Sequence, residues 1–420
     1  MKDLRTIILA AGKGTRMRSS IPKVLHPICG QPMIDYIVDV AKKASSLKIY
    51  VVLGHQYESV RKHLSTSIVT IRQKRLLGTA DAVRCASSFL KGYRGDVLIL
   101  CGDTPLLTDT SIKRLIHHHR SRKAICTVLT AIVDNPWGYG RIIRNRANDI
   151  VAIREEKDAS GQERLISEIN VGVYCFYWPE LLKTIRHIEL NQKKKEFYIT
   201  DIIELFVAQG LAVTTVQTEN GREGLGINTR EDLSLATSIL RQRILKKFMA
   251  EGVTIVDPFT TYIETQVTIG QDTVVRPFTV IENNVTIGRR CLIGPFTHLR
   301  PGTRVADEVE IGNFAEVSRT HVGQRSIMKH FSFLGDARIG SQVNIGAGTV
   351  TANYDGKNKN KTYIANRAFI GSDSILIAPV HVGQKAITAA GSVVTKGTKI
   401  PAKTIAMGVP ARLLKRKKIS

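Results

Sequence analysis

Apolar residues recur at two different periods in the two halves of this chain. Over residues 1–228, short β-branched runs alternate with stretches of helical apolar spacing; the runs are Thr6 to Ala10, Ile49 to Leu53, Ile68 to Arg72, Val97 to Leu100 and Ala124 to Ala131. Such alternation predicts an α/β layered domain on a parallel sheet, with ligands bound beyond the carboxyl ends of its strands. From Asn228 to about Ala250 the pattern changes: Ala236, Leu240, Ile244 and Phe248 recur every four residues, and Arg241, Arg243, Lys246 and Lys247 fill the other faces. This predicts one connecting helix, capped near Thr229 or Asp232 and ending before Gly252.

Beyond it the period becomes six. Ile263, Ile269, Val275, Ile281, Ile287, Ile293, Leu299, Val305, Ile311 and Val317 are consecutive aliphatic residues at that spacing. In a chain that is 43% hydrophobic, so long a match has a chance on the order of one in a thousand. The period breaks near Val322, returns at Ile339 and Ile345, and runs again through Ile364, Ile370, Leu376 and Val382. Hexads are the mark of a parallel β-helix, in which every sixth side chain fills a triangular prism and three hexads close a coil. An antiparallel sandwich would show period two instead. The polar, basic stretch Asn353 to Lys361 predicts a loop leaving the prism, and the tail Lys415 to Lys418 a solvated end. The expected organisation is therefore a domain over 1–228, a linker helix over 229–251 and a β-helix with a basic tail over 252–420.

Composition narrows the partners. The 420 residues carry 61 Lys plus Arg against 36 Asp plus Glu, a net +25, which favours anionic partners: nucleic acid, an acidic membrane or phosphorylated small molecules. No apolar run approaches the ~18–20 residues of a membrane span, and Ile7 to Ala11 is too short for a signal-peptide core. Six cysteines show no CxxC spacing, as expected of reduced thiols in a soluble, cytoplasmic protein. Aromatic content is only 6%, with no interleaved aromatic platform and no zinc spacing, so no specific nucleic-acid partner is expected. His117-His118-His119 would point in different directions on a helix and make a poor metal cage.

The chemistry of the first half gathers at the end of its first strand. Ala11-Gly12-Lys13-Gly14-Thr15-Arg16-Met17, with Pro22-Lys23 after it, has the character of a phosphate loop: glycines admit backbone N–H groups to phosphate oxygens, while Lys13, Arg16 and Lys23 bring charge. It fits neither the P-loop nor the dinucleotide fingerprint, because Met17 stands at the third glycine position. Asp103, in Gly102-Asp103-Thr104-Pro105, follows a strand where a carboxylate can hold Mg²⁺ against a phosphate, although a lone Asp there is more often a turn or cap residue.

Together with Pro22-Lys23-Val24-Leu25, Gln73, Gly78-Thr79, Gly138-Tyr139-Gly140-Arg141, Glu155, Glu168-Ile169-Asn170, Tyr198-Ile199-Thr200-Asp201 and Gly226-Ile227-Asn228, these motifs resemble the sugar-nucleotide pyrophosphorylases. The match is with the uridylyltransferase half of the bacterial bifunctional enzymes that make UDP-N-acetylglucosamine. The resemblance implies a Rossmann-like nucleotidyltransferase domain followed by a left-handed parallel β-helix. It implies that Leu9, Ala10, Ala11, Gly12, Gln73, Gly78 and Thr79 bind the UTP base and backbone, with Cys101 and Gly102 alongside. Arg16 and Lys23 would act on the phosphates, Gly140, Glu155 and Asn170 would hold the sugar, and Asp103 with Asn228 would bind Mg²⁺. The phosphate of N-acetylglucosamine 1-phosphate would attack the UTP α-phosphorus in line, releasing pyrophosphate. Leu76 departs from the Gln expected there.

The second half resembles the acetyltransferase portion of the same family through Arg300-Pro301-Gly302, Gly312-Asn313-Phe314, Leu334-Gly335-Asp336, Val343 to Gly348, Asn353 to Gly356, Gly371-Ser372-Asp373 and Ala389-Ala390-Gly391. By itself a His in a repeat is usually structural; the resemblance makes His330 the base that deprotonates glucosamine 1-phosphate, with Glu316 beside it. Arg300, Phe333, Asn344, Asn353, Tyr354 and Lys359 would bind that substrate, and Ala347, Ser372 and Ala390 acetyl-CoA, in a homotrimer. Three positions depart: Ser318 replaces a Lys, Phe333 a Tyr and Gly408 an Arg, each removing a polar or charged contact. Arg319 and the basic tail are the candidates to compensate. The rival reading is a monofunctional nucleotidyltransferase whose β-helix only oligomerises. A non-enzymatic scaffold would be expected to lose Lys23, Asp103 or Asn228, and all three are present.

Overall fold

The computed structural model describes residues 3–44, 46–192 and 195–414. The chain divides into two compact units, one up to Thr237 and one from Ser238.

The first unit is built on one twisted sheet. Its strand order is Val213–Gln217, Cys126–Ile132, Glu168–Tyr177, Asp96–Cys101, Leu4–Ala10, Lys48–Leu53 and Val69–Arg72, with the hairpin Arg141–Arg144/Ile150–Arg154 at one side. The predicted strands are all present, shifted by one or two residues at their ends. Ile7 and Ile8 are both fully buried, as befits a central strand covered by helices on both faces. The expectation of a parallel sheet needs correction at one side: Glu168–Tyr177 runs antiparallel to all three of its partners, and the two strands of the hairpin are antiparallel to each other. Its register shifts between Asn170 and Tyr174, around Gly172 at φ 78°. Residues 171–173 bulge there, and the Cys101 thiol donates to the Gly172 carbonyl at 3.3 Å.

The connecting helix runs from Arg230 to Ala250, and its cap uses both expected residues. Thr229 Oγ1 accepts from the Asp232 N–H at 3.1 Å, and Asp232 Oδ2 accepts from the Thr229 N–H at 2.8 Å. That is a reciprocal capping box.

The second unit is a left-handed parallel β-helix. Among the described residues its short strands form three stacks: ten strands from Thr254–Ile255 to Ala411–Leu413, eight from Tyr262–Ile263 to Val393–Val394, and eight from Thr268–Ile269 to Lys399–Ile400. Every residue of the predicted ten-residue hexad series is at most 7% exposed, and all belong to one continuous core. The break near Val322 is not a gap. Val322, Met328 and Leu334 stay inside the prism, while the register steps from Arg304 to His321 and from His321 to Arg338 shorten to 17 residues. One corner residue is dropped per coil, and the tightened corners carry Arg319 and Asp336 at φ 48° and 50°. The next step, Arg338 to Tyr363, spans 25 residues because Asn353 to Lys361 leaves the prism as predicted. The Asp355 carboxylate turns that loop by accepting from the N–H groups of Lys357 and Asn358. The tail Lys415 to Lys418 lies outside the described residues.

Candidate functional site

In the first unit, Leu9 pairs with Cys101 at the carboxyl ends of the two central strands. The loops that follow therefore leave the sheet side by side, and Gly102 extends the pairing by donating to the Leu9 carbonyl at 2.9 Å. Between them lies a cavity of about 540 Å³, lined by Leu9 to Arg16, Lys23, Gln73, Gly78, Thr79, Cys101, Asp103 and Asn228. Val24, Leu76, Ala82 and Glu196 line it as well.

Its charged centre is Lys23. The ammonium donates to Asp103 Oδ2 at 2.5 Å and to Asn228 Oδ1 at 3.2 Å. Three chain segments hold these groups in place. The Ile227 N–H donates to the Asp103 carbonyl at 2.9 Å, and the Asn228 N–H to the helix-cap carboxylate of Asp232 at 2.9 Å. Gly14, at φ 61°, lies so close that an added Cβ would fall 2.7 Å from Lys23 Cβ. Lys13 and Arg16 are exposed on the loop and make no ion pair among the described residues.

Gln73 is 4% exposed, and its amide donates to the Gly78 carbonyl at 3.1 Å and to Asp81 Oδ2 at 2.7 Å. With both N–H groups engaged, its carbonyl oxygen is left as an acceptor. Gly78, at φ 97°, has no room for a side chain: a Cβ would lie 2.6 Å from the Phe197 carbonyl oxygen. The Phe197 N–H donates to Leu77 and the Ala80 N–H to Phe197, a crossing that brings Glu196 to the cavity. No sequence motif marks that residue.

Gly140, Glu155 and Asn170 form a neighbouring cluster. The Asn170 N–H donates to Gly140 at 2.8 Å, and a Cβ on Gly140 would approach Glu155 Oε1 to 3.7 Å. The Thr200 hydroxyl donates to the same Glu155 oxygen at 3.0 Å. Asp201 beside it is pushed up to about 6 by burial and by the carboxylates of Glu155, Glu204 and Asp158. Burial drives the Cys101 thiol up to about 12, so it stays protonated and does not act as a nucleophile. Two of the three histidines in the run have hydroxyl partners: His118 Nε2 lies 2.9 Å from Thr214 Oγ1 and His119 Nδ1 2.9 Å from Thr127 Oγ1.

In the second unit, ladder register brings distant motifs into line. Ile327, Asn344, Phe369 and Ile387 are successive partners in the first stack. Three residues further along each coil stand His330, Ala347, Ser372 and Ala390, which therefore form a single column at one corner, each about 4.8 Å above the last. His330 is exposed, with no hydrogen bond to the described residues. On the second stack Glu316 pairs with Phe333, and Arg300 donates to Glu316 Oε1 at 2.9 Å. Asn353 donates to Asp336 Oδ2 at 2.5 Å, and the Phe333 ring packs over Gly335. Tyr354 and Lys359 bridge across the extruded loop.

Two of the departures gain a physical reading. Arg319 grips Asp336 through two bonds, at 2.7 and 2.9 Å, and also donates to Ser318 Oγ at 2.7 Å. A guanidinium thus sits on Ser318, but its charge is matched by a carboxylate, which limits Arg319 as a replacement for the missing Lys. Gly408, at φ 95°, lies in the closing strand Ile405–Gly408 and pairs with Ala411.

Residues 5–221 match the family described as nucleotidyl transferase. Residues 284–319 match bacterial transferase hexapeptide (six repeats), and residues 362–396 the hexapeptide repeat of succinyl-transferase. The chain is 43% identical to the bifunctional protein GlmU of Bacillus velezensis, over 96% of this chain and 95% of that protein. It is 44% identical to that of Bacillus licheniformis over 93% and 92% of the two chains, and 42% identical to that of Pelobacter propionicus over 97% and 96%. A nucleotidyl transferase unit, a hexapeptide β-helix and end-to-end similarity at this level place the chain in the bifunctional GlmU family, as an enzyme with a transferase in each half.

Proposed function

We propose that the first unit makes UDP-N-acetylglucosamine from UTP and N-acetylglucosamine 1-phosphate, and that the second acetylates glucosamine 1-phosphate from acetyl-CoA to supply it. The observation that carries the first half is the Lys23–Asp103–Asn228 cluster beneath a glycine loop. Two oxygens already converge on one cation there, and a carboxylate plus an amide carbonyl is the hard donor set that Mg²⁺ prefers. Among the described residues no group of three or more His, Cys, Asp or Glu could hold a metal ion, so phosphate oxygens and water would complete the coordination. When bound, Mg²⁺ supplies neutralisation of phosphate charge. Lys23 and Arg16 would bring positive charge to the triphosphate, and the loop N–H groups of Ala11 and Gly12 would face its oxygens. The Gln73 acceptor oxygen suits the N3–H of uracil, while Gly140, Glu155 and Asn170 hold the sugar. The sugar-phosphate oxygen forms a bond to the α-phosphorus as the α–β bridge breaks, and pyrophosphate leaves with the electron pair.

In the second unit His330, its ring free, takes the amine proton as the nitrogen adds to the thioester carbonyl. The C–S bond then breaks and CoA leaves as thiol. Glu316, Arg300, Phe333, Asn344, Asn353, Tyr354 and Lys359 surround the sugar phosphate, and the small residues Ala347, Ser372 and Ala390 admit the CoA chain along their column. The outer sides of the first two stacks carry exposed Phe369, Ile387 and Ile405 and half-exposed Val350, Ile375 and Val393, which supports association of β-helices as a homotrimer. None of the six cysteines is in a disulfide, in keeping with a reducing, cytoplasmic setting. No helix among the described residues is long and apolar enough to cross a membrane.

The commitment of Arg319 to Asp336, with Phe333 in place of a hydroxyl, favours the second reading, a nucleotidyltransferase with a silent β-helix. A coupled assay separates them. Glucosamine 1-phosphate, acetyl-CoA, UTP and Mg²⁺ are supplied, and thiol and pyrophosphate are followed separately. Both should appear, with His330→Ala abolishing thiol release and leaving pyrophosphate release from ready-made N-acetylglucosamine 1-phosphate. Pyrophosphate only from the ready-made acetylated substrate would establish the second reading.

A further inference from the structure

The third stack of the β-helix is unlike the other two. Its outward positions from the third coil upward are, in register, Arg304, His321, Arg338, Tyr363, His381 and Lys399. All are exposed, and Arg304, Arg338 and Lys399 have no ion pair or side-chain hydrogen bond among the described residues. A second basic column runs beside the first at the adjoining corner, through Arg325, Arg367, Lys385 and Lys403. Arg325 is paired with Glu308 one coil below and Arg367 with the neutral Gln342; from His321 onward neither column contains an Asp or Glu. Between the columns lies a groove of about 580 Å³ with no acidic residue in its lining.

Two features make this more than a solvated charged face. The cations repeat along a line, one coil every ~4.8 Å, so that Arg304 to Lys399 spans ~24 Å. Within the line the Tyr363 and His381 rings stack, with centroids 4.7 Å apart and an interplanar angle of 12°. The aliphatic side chains under the groove, Ile339, Ile364, Val382 and Ile400, are buried, which leaves no apolar side chain to insert into a lipid surface. Exposed apolar side chains lie on the other two stacks, so association through those faces leaves this one to solvent. The glycines of the groove floor have a packing reason: a Cβ on Gly323 would meet the Gly340 carbonyl group at 2.5 Å.

We propose that this groove binds single-stranded nucleic acid, without sequence preference, its phosphates following the two basic columns and a base stacking on the Tyr363 ring. A basic track with an aromatic platform is the chemistry that recognises such a strand. The groove lies on the third stack, whereas the column from His330 to Ala390 lies at the corner between the first two, and binding there depends on neither proposed reaction.

The test is fluorescence polarisation of a labelled oligouridylate of about a dozen nucleotides with the full chain, at about 50 mM salt and upward. The R338Q/K385Q/K399Q variant should bind at least ~10-fold more weakly, with a salt slope smaller by about 2 at ~0.7 per lost phosphate contact. The thermal unfolding transition of the β-helix unit should be unchanged, showing that the fold carrying the groove is intact. A K62Q/K91Q/K183Q variant removes the same charge from the first unit and should bind normally. Tyr363→Ala should weaken oligouridylate at least ~5-fold yet leave binding of inorganic polyphosphate unaltered. The proposal is overturned by any of four results: no binding by the parent chain, equal losses in both triple variants, an oligouridylate affinity indifferent to Tyr363, or capture of phosphatidylglycerol vesicles without capture of oligouridylate.

Discussion

At the residue scale the first unit depends on a few groups with no substitute. Asp103 accepts from Lys23 in the free enzyme and is the proposed Mg²⁺ ligand. Asp103→Ala should therefore lower pyrophosphate release by at least ~100-fold, as loss of a charge-stabilising group does, while acetyl transfer, read as thiol release, stays intact. Gly78 is limited by space rather than charge. Gly78→Ala puts a Cβ against the Phe197 carbonyl at a backbone φ of 97°, and a cost of ~1–3 kcal/mol is expected in thermal unfolding together with a raised KM for UTP. Asp201 yields a pH prediction. Its pKa rises from the ordinary ~3.9 to about 6 on folding, because burial and the Glu155, Glu204 and Asp158 carboxylates oppose ionisation. The stabilising contribution of its protonated form is thus complete below about pH 4 and lost as pH rises through about 6. Asp201→Asn should raise the Tm of the nucleotidyl transferase unit at pH 7.5 and leave it nearly unchanged at pH 4; an equal shift at both would contradict this account.

At the scale of elements, the cap of the connecting helix also acts on the site. Asp232 closes the capping box with Thr229 and receives the Asn228 N–H, so one carboxylate both starts the helix and fixes the residue whose side chain reaches Lys23. Asp232→Ala should cost ~1 kcal/mol in stability, and by loosening Asn228 it should raise the Mg²⁺ concentration needed for half-maximal pyrophosphate release. A change in stability without that second effect would mean that Asn228 is held by its other contacts. The elements themselves were largely legible. The helix was marked by its four-residue period and its Thr229 and Asp232 caps, the β-helix by its hexads. The antiparallel strand Glu168–Tyr177 was not, because a β-branched run has the same composition in either direction. The five-residue corners at Arg319 and Asp336 were hidden too, since a dropped corner residue looks in one dimension like a lost repeat.

Across the whole molecule, the two units have separate cores. Ile293→Ala would open a cavity in the prism and cost ~2–5 kcal/mol there. It should depress thiol release at elevated temperature before pyrophosphate release, a difference that parallel inactivation curves would reveal. Fold class and the succession of an α/β half and a hexad half followed from the amino-acid sequence, and its motifs, through the resemblance they carry, marked the glycine loop, Lys23, Asp103 and Asn228 as candidates. Each is written in periodicity or in short motifs, and periodicity survives in one dimension because burial repeats with the geometry of the backbone. Other features are decided only where the chain returns to itself. These include the convergence of two oxygens on Lys23, the arrival of Glu196 at the cavity, the column from His330 to Ala390, the commitment of Arg319 to Asp336 and the basic groove of the third stack. Ladder register sets these neighbours, and it pairs residues 17, 18 or 25 positions apart according to how each corner is turned. No local pattern carries that information, because a change of one residue at a corner redirects every contact between coils.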